Sequence, residues 1–168
     1  MLTQLGSFGQ RYAKSESDDV MYRNRQELAS TRQHLHCLQS KTEKSLNLLN
    51  VQLKLWLQDF HDRSTKDELI HQFEDFRAVL NEHFFEASSD ALFESIASLH
   101  PSLTPQLHEI DRQHRETSAH LDQLIDDLHL PVESSTQADQ FLVRISHLHH
   151  QIISIERLER HILELGWI

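Results

Sequence analysis

Fourteen histidines occur in a chain of 168 residues. Imidazole is the commonest metal ligand and the side chain most easily protonated near neutral pH. A metal centre or a protonation switch needs several of these rings on facing elements, so their spacing decides what they can do. Residues three, four and seven apart share one face of a helix. His83 follows Phe76 by seven and Leu80 by three, and precedes Ala87 by four. His114 follows Ile110 by four and precedes Leu121 by seven. His149 follows Ile145 by four and precedes Ile152 by three, with His150 beside it. His34 and His36 flank the apolar Leu35, so one of them can turn inward. The remaining histidines, His61, His71, His100, His108, His120, His129, His147 and His161, fall mostly at helix ends or on polar flanks.

Four long amphipathic helices can carry these positions. Helix A is expected from Asp18 to His61, with Leu28, Leu35, Leu38, Leu46, Leu49, Leu53, Trp56 and Phe60 on its apolar face and a kink or separate first segment before about Ser30. Helix B opens at Thr65, where Thr65 and Glu68 match a capping box, and runs to Leu99 before Pro101. Helix C opens with Thr104 as N-cap and Pro105 as its first helical residue, and Pro131 closes it. Helix D follows the polar stretch Glu133 to Thr136, where Ser134 and Gln137 form a second capping box, and Gly166 is its stop. Short connections make successive helices antiparallel. The expected fold is therefore all-α, an up-down-up-down four-helix bundle over 18–168 preceded by a flexible arm over 1–17.

Composition narrows the function. Three Gly and three Pro leave few helix breakers and cannot build a phosphate-binding loop. Sixteen basic against 26 acidic residues give a formal net charge of −10. That balance argues against nucleic acid and against an anionic membrane surface as partners. A single cysteine, Cys37, and no signal peptide or membrane-length apolar run fit a cytoplasmic protein. Cys37 reads as a small half-buried residue, because the adjacent His36 points elsewhere on a helix. Phe84 faces inward and Phe85 towards a flank, while Trp56 and Trp167 pack at the bundle ends. The charged rows Glu109, Arg112, Glu116 and Glu156, Arg157, Glu159, Arg160 read as solvated helix faces.

The segment Leu80-Asn-Glu-His-Phe-Phe-Glu, the pair Leu92-Phe93, the turn His100-Pro-Ser-Leu-Thr-Pro and the segment Asp111-Arg-Gln-His-Arg-Glu together resemble motifs of the hemerythrin-like, or HHE cation-binding, domain. Leu148-His-His followed by Glu156 is similar to the family's fourth-helix motif, and His34-Leu-His-Cys-Leu to its first-helix histidine. The resemblance spans about residues 30 to 163. It implies a four-helix bundle holding a non-haem di-iron centre that binds or senses dioxygen or metal, without catalytic turnover. The implied ligands are His34 or His36, His83, His114 and His149 or His150, with Glu86 and Glu156 as the nearest carboxylates. The chain departs from the pattern at the carboxylates. Ala87 stands where the second-helix Glu belongs, and Ile153, Ser154 or Ile155 where the fourth-helix acid belongs. Ser118 occupies the second histidine position of the third helix. The alternative class is a metal-free bundle acting through a protein partner or as a homodimer. A third is a module loosened by protonation of buried histidines.

Overall fold

The computed structural model describes residues 8–165. Among the described residues all regular structure is helical. The elements are α1 (Phe8–Gln58), α2 (Arg63–Ala87), α3 (Asp90–Leu99), a 3₁₀ turn (Pro101–Leu103), α4 (Thr104–His129) and α5 (Ser135–Leu165). The chain divides into two compact units, Met1–His34 and Leu35–Ile168. Of the arm expected over 1–17, residues 1–7 lie outside the described residues and Phe8 onward is helical. Trp167 and the Gly166 stop also lie outside them.

In the second unit, the four long helices share one core. It is built from Leu46, Leu49, Leu53 and Trp56 of α1 and Phe73, Phe76 and Leu80 of α2, together with Leu121 and Leu124 of α4 and Phe141, Ile145 and Leu148 of α5. Phe141 meets Trp56 and Phe73 edge to face, each at 5.8 Å between ring centroids. Trp56, two residues before the end of α1, is fully buried in this core. Burying one such aromatic side chain contributes about 2–3 kcal/mol, so the Trp56–Phe141–Phe73 contacts anchor α1, α2 and α5 together.

Local chemistry explains where the helices start and stop. The α2 cap is Asp62, not Thr65: its carboxylate accepts from the Ser64 and Thr65 amides. A carboxylate at the positive end of a helix outcompetes a hydroxyl three residues on, and its carboxyl is held below the ordinary value by those bonds. The helix expected to continue to Leu99 breaks at Ser88 and Ser89. There the Ser88 hydroxyl bonds across to α4, at His114, and Ser89 caps α3 without a side-chain bond. α4 begins at Thr104 itself, with Leu103 as cap at the end of the 3₁₀ turn. At the start of α5, Ser134 Oγ accepts from the Gln137 amide, and Gln137 Oε1 accepts from the Ser134 and Glu133 amides. No described helix is long and apolar enough to cross a membrane.

Candidate functional site

Each long helix interrupts its apolar stripe with a polar residue at one level. On α1, Gln39 and Thr42 lie between Leu38 and Leu46, and on α4, His114 and Thr117 lie between Ile110 and Leu121. On α2, His83 stands between Leu80 and Phe84, and on α5, Glu159 stands between Ile155 and Ile162. All six polar side chains are buried, His83 fully and Glu159 to within 4 % of its surface.

Glu159 is the hub. His83 Nε2 lies 3.0 Å from Glu159 Oε2, and His114 Nε2 lies 2.8 Å from Glu159 Oε1. The Gln39 side-chain amide donates to Oε2 at 3.1 Å. Behind the rings, His83 Nδ1 is 3.2 Å from Thr42 Oγ1, and His114 Nδ1 is 2.5 Å from Ser88 Oγ. The His114 ring also stacks on Phe84, with centroids 4.0 Å apart. The break after α2 therefore has a consequence at the site, since it puts the Ser88 hydroxyl against His114. Ser88 also lines an open pocket of about 320 Å³ with Phe93, Glu94, Leu107, His108 and Asp111.

Hydrogen-bond accounting constrains the protons. A carboxylate only accepts, so each Nε2 facing Glu159 must carry a proton unless another cation lies between them. The Thr42 hydroxyl donates to the Leu38 carbonyl at 3.0 Å. While it does so, its oxygen can only accept from His83 Nδ1. His83 then carries a proton on both nitrogens, or a cation takes the place of the Nε2 proton. His114 is less constrained, because the Ser88 hydroxyl can donate to its Nδ1 or accept from it.

The electrostatics follow from the same contacts. Burial pushes the Glu159 carboxyl up, but hydrogen bonds from His114 and His83, reinforced by their charges, outweigh it and hold its pKa down at about 2. One turn earlier, Glu156 is half-buried, and its Oε1 is enclosed without a hydrogen-bond partner. Burial raises its pKa against the opposing charge of His83, with Glu159 and Glu43 adding to the rise.

The other histidines of the expected ligand set stand elsewhere. His34, His36 and His150 are exposed and His149 is half-buried. His150 Nδ1 lies 2.6 Å from the Ser146 carbonyl of its own helix, and its ring neighbours that of His149. Glu86 is half-buried on α2. The structure thus brings His83 and His114 together and leaves the helix A and helix D histidines out of the cluster. Cys37 is exposed, not half-buried. Glu159 is the main correction: it is not part of a solvated charged face but the centre of the buried network. The signal was present in the spacing, since Glu159 follows Ile152 by seven and Ile155 by four and precedes Ile162 by three. Thr42 likewise fills the gap between Leu38 and Leu46 in the α1 stripe.

The donor set can be tested against the implied metal. Two irons need several bridging carboxylates to offset at least four positive charges, and here one buried carboxylate faces two imidazoles, so a di-iron centre does not fit. A single divalent ion fits the chemistry of His83, His114 and Glu159, which is the two-histidine, one-carboxylate set of non-haem iron and zinc sites. The two Nε2-to-oxygen contacts have hydrogen-bond length. Among the described residues no group of three or more His, Cys, Asp and Glu side chains stands ready-made for an ion. Uptake requires the Nε2 protons to leave.

Comparisons with protein-family models, with curated proteins and with solved structures find no match for this chain.

Proposed function

We propose that this chain is an up-down-up-down four-helix bundle that binds a single divalent transition-metal ion, iron by its resemblance to hemerythrin-like domains, in a binding or sensing role without turnover. His83 Nε2, His114 Nε2 and Glu159 hold the ion, and Glu156, one turn earlier on α5, has an enclosed Oε1 with no hydrogen-bond partner. The observation that carries this reading is the convergence of two buried imidazole nitrogens, from α2 and α4, on the two oxygens of one buried α5 carboxylate. Thr42 and Ser88 then take the Nδ1 protons, as oxygens behind metal-binding imidazoles commonly do. An iron ion held there would supply a binding site for dioxygen, and Thr42 and Ser88 would fix the orientations of the two rings.

A second reading is favoured by the Gln39 amide, which spends its donor on the same carboxylate. In that reading the network is metal-free, with protons in place of the ion, and it fixes the register of four helices in a protein-interaction module.

Metal analysis separates the two. The full chain is expressed with added iron, zinc or manganese, and metal content and melting temperature are measured for wild type, His83→Ala and Glu159→Gln. One equivalent of metal per chain, raising the melting temperature and absent from both variants, supports the metal site. No bound metal and an unchanged melting temperature with all three ions would overturn it.

A further inference from the structure

The face of α1 turned away from the core carries Leu48, Val51 and Leu55, which are 62 %, 57 % and 46 % exposed. Their spacing of three and four makes one stripe on the side opposite Leu46, Leu49, Leu53 and Trp56. The stripe stretches over about 10 Å of helix axis, two turns. Lys44 extends it and Lys54 flanks it, both exposed. The chain carries a formal charge of −10, yet no Asp or Glu occurs from Lys44 to Gln58. An apolar stripe whose only charged neighbours between Lys44 and Gln58 are two lysines, with Asn47 and Gln52 as uncharged flanks, has a specific complement on an otherwise acidic molecule.

We propose that this face of α1 docks an acidic amphipathic helix of another protein. Apolar residues at i, i+3 and i+7 on such a helix cover Leu48, Val51 and Leu55, and its flanking carboxylates meet Lys44 and Lys54. Charge argues against a second copy of the chain at this face. Self-pairing of the stripe brings four lysines onto one seam, with carboxylates only beyond its two ends, at Glu43 and Asp59. The face lies outside the His83–Glu159 network, so the proposal stands independently of metal binding.

The test uses the full chain and two fluorescein-labelled peptides of three heptads. Both have Leu at a and d and Ala or Gln at b, c and f; one has Glu at e and g, the other Lys. Fluorescence anisotropy is expected to show the Glu peptide binding at least tenfold more tightly than the Lys peptide. Leu48→Ser with Leu55→Ser, and separately Lys44→Glu with Lys54→Glu, should each weaken the Glu peptide at least tenfold. Circular dichroism checks that the melting temperatures are unchanged, and because all four positions are exposed, folding is not at stake. Equal binding of the two peptides, or wild-type affinity in the charge-reversed variant, would overturn the proposal. So would sedimentation showing that the chain dimerises through this stripe, or binding to phosphatidylserine vesicles lost in the same variants.

Discussion

Glu156 and Glu159 stand one turn apart on α5, and their carboxyls are shifted in opposite directions. Glu159 is the more deeply buried, yet it is the one held ionised, because two imidazoles and the Gln39 amide donate to it. Glu156 has an enclosed oxygen with no donor. Burial sets the penalty for a charge, and the hydrogen-bond donors around it decide whether the charge stays.

The two carboxyls therefore give opposite pH dependences. Glu159 has a folded pKa below the ordinary 4.5, so the stability it contributes is complete above 4.5 and is lost as pH falls towards about 2. Glu156 has a folded pKa above 4.5, so it costs stability once ionised, increasingly as pH rises from 4.5 through its folded value. Glu156→Gln is accordingly expected to melt at a higher temperature than wild type at pH 7, with the difference shrinking towards pH 4. Calorimetry across that range checks the sign, and a Glu156→Gln protein less stable at pH 7 sinks the assignment.

Removing the hub leaves two buried rings unanswered. Glu159→Ala is expected to cost roughly 3–5 kcal/mol, the range for breaking a buried charged pair by deleting one partner. Glu159→Gln keeps one accepting oxygen but turns an amide N–H towards an imidazole N–H, so its cost should be smaller but still measurable. Urea unfolding of both variants gives the comparison. A loss under about 1 kcal/mol for Glu159→Ala means that the carboxylate does not organise the layer.

The helical class and the inward positions of His83 and His114 were legible because both follow from period alone. Leu80 and Ile110 set the stripes, and the rings fall on them. Glu159 was on its stripe just as plainly, but a Glu between Arg157 and Arg160 also fits a solvated face, and Leu158 offered an apolar residue for the same turn. Composition outweighed spacing there. The break at Ser88 was hidden for a different reason. A serine pair lowers helix propensity only slightly, and the hydroxyl's partner, His114, is 26 residues away. His34, His36, His149 and His150 show the converse limit: a histidine beside a stripe position faces inward only if its own register, and not its neighbour's, points to the core.

Thr42 makes the tautomer of His83 testable. Thr42→Val keeps the shape but removes the oxygen that faces Nδ1, so a cost of about 1–2 kcal/mol is expected for the unanswered buried nitrogen. Thr42→Ser should restore most of it. Nitrogen NMR of the His83 side chain should report a protonated Nδ1 in wild type and Thr42→Ser, and its loss in Thr42→Val. An Nδ1 that is unprotonated in wild type would mean that the hydroxyl turns from the Leu38 carbonyl to donate to the ring.

The exposed histidines provide the contrasting case. His34, His36 and His150 lie on helix surfaces, where substitutions usually change stability by no more than about 0.5 kcal/mol each. The triple variant His34→Ala, His36→Ala, His150→Ala is expected to unfold within about 1 kcal/mol of wild type and to keep its full response to added iron or zinc. His114→Ala deletes a ring stacked on Phe84 and strips one donor from Glu159, so it should cost roughly 2–4 kcal/mol and abolish that response. Parallel melts with and without metal make the comparison. If the triple variant loses the response and His114→Ala keeps it, the ion sits among the surface histidines and not at Glu159.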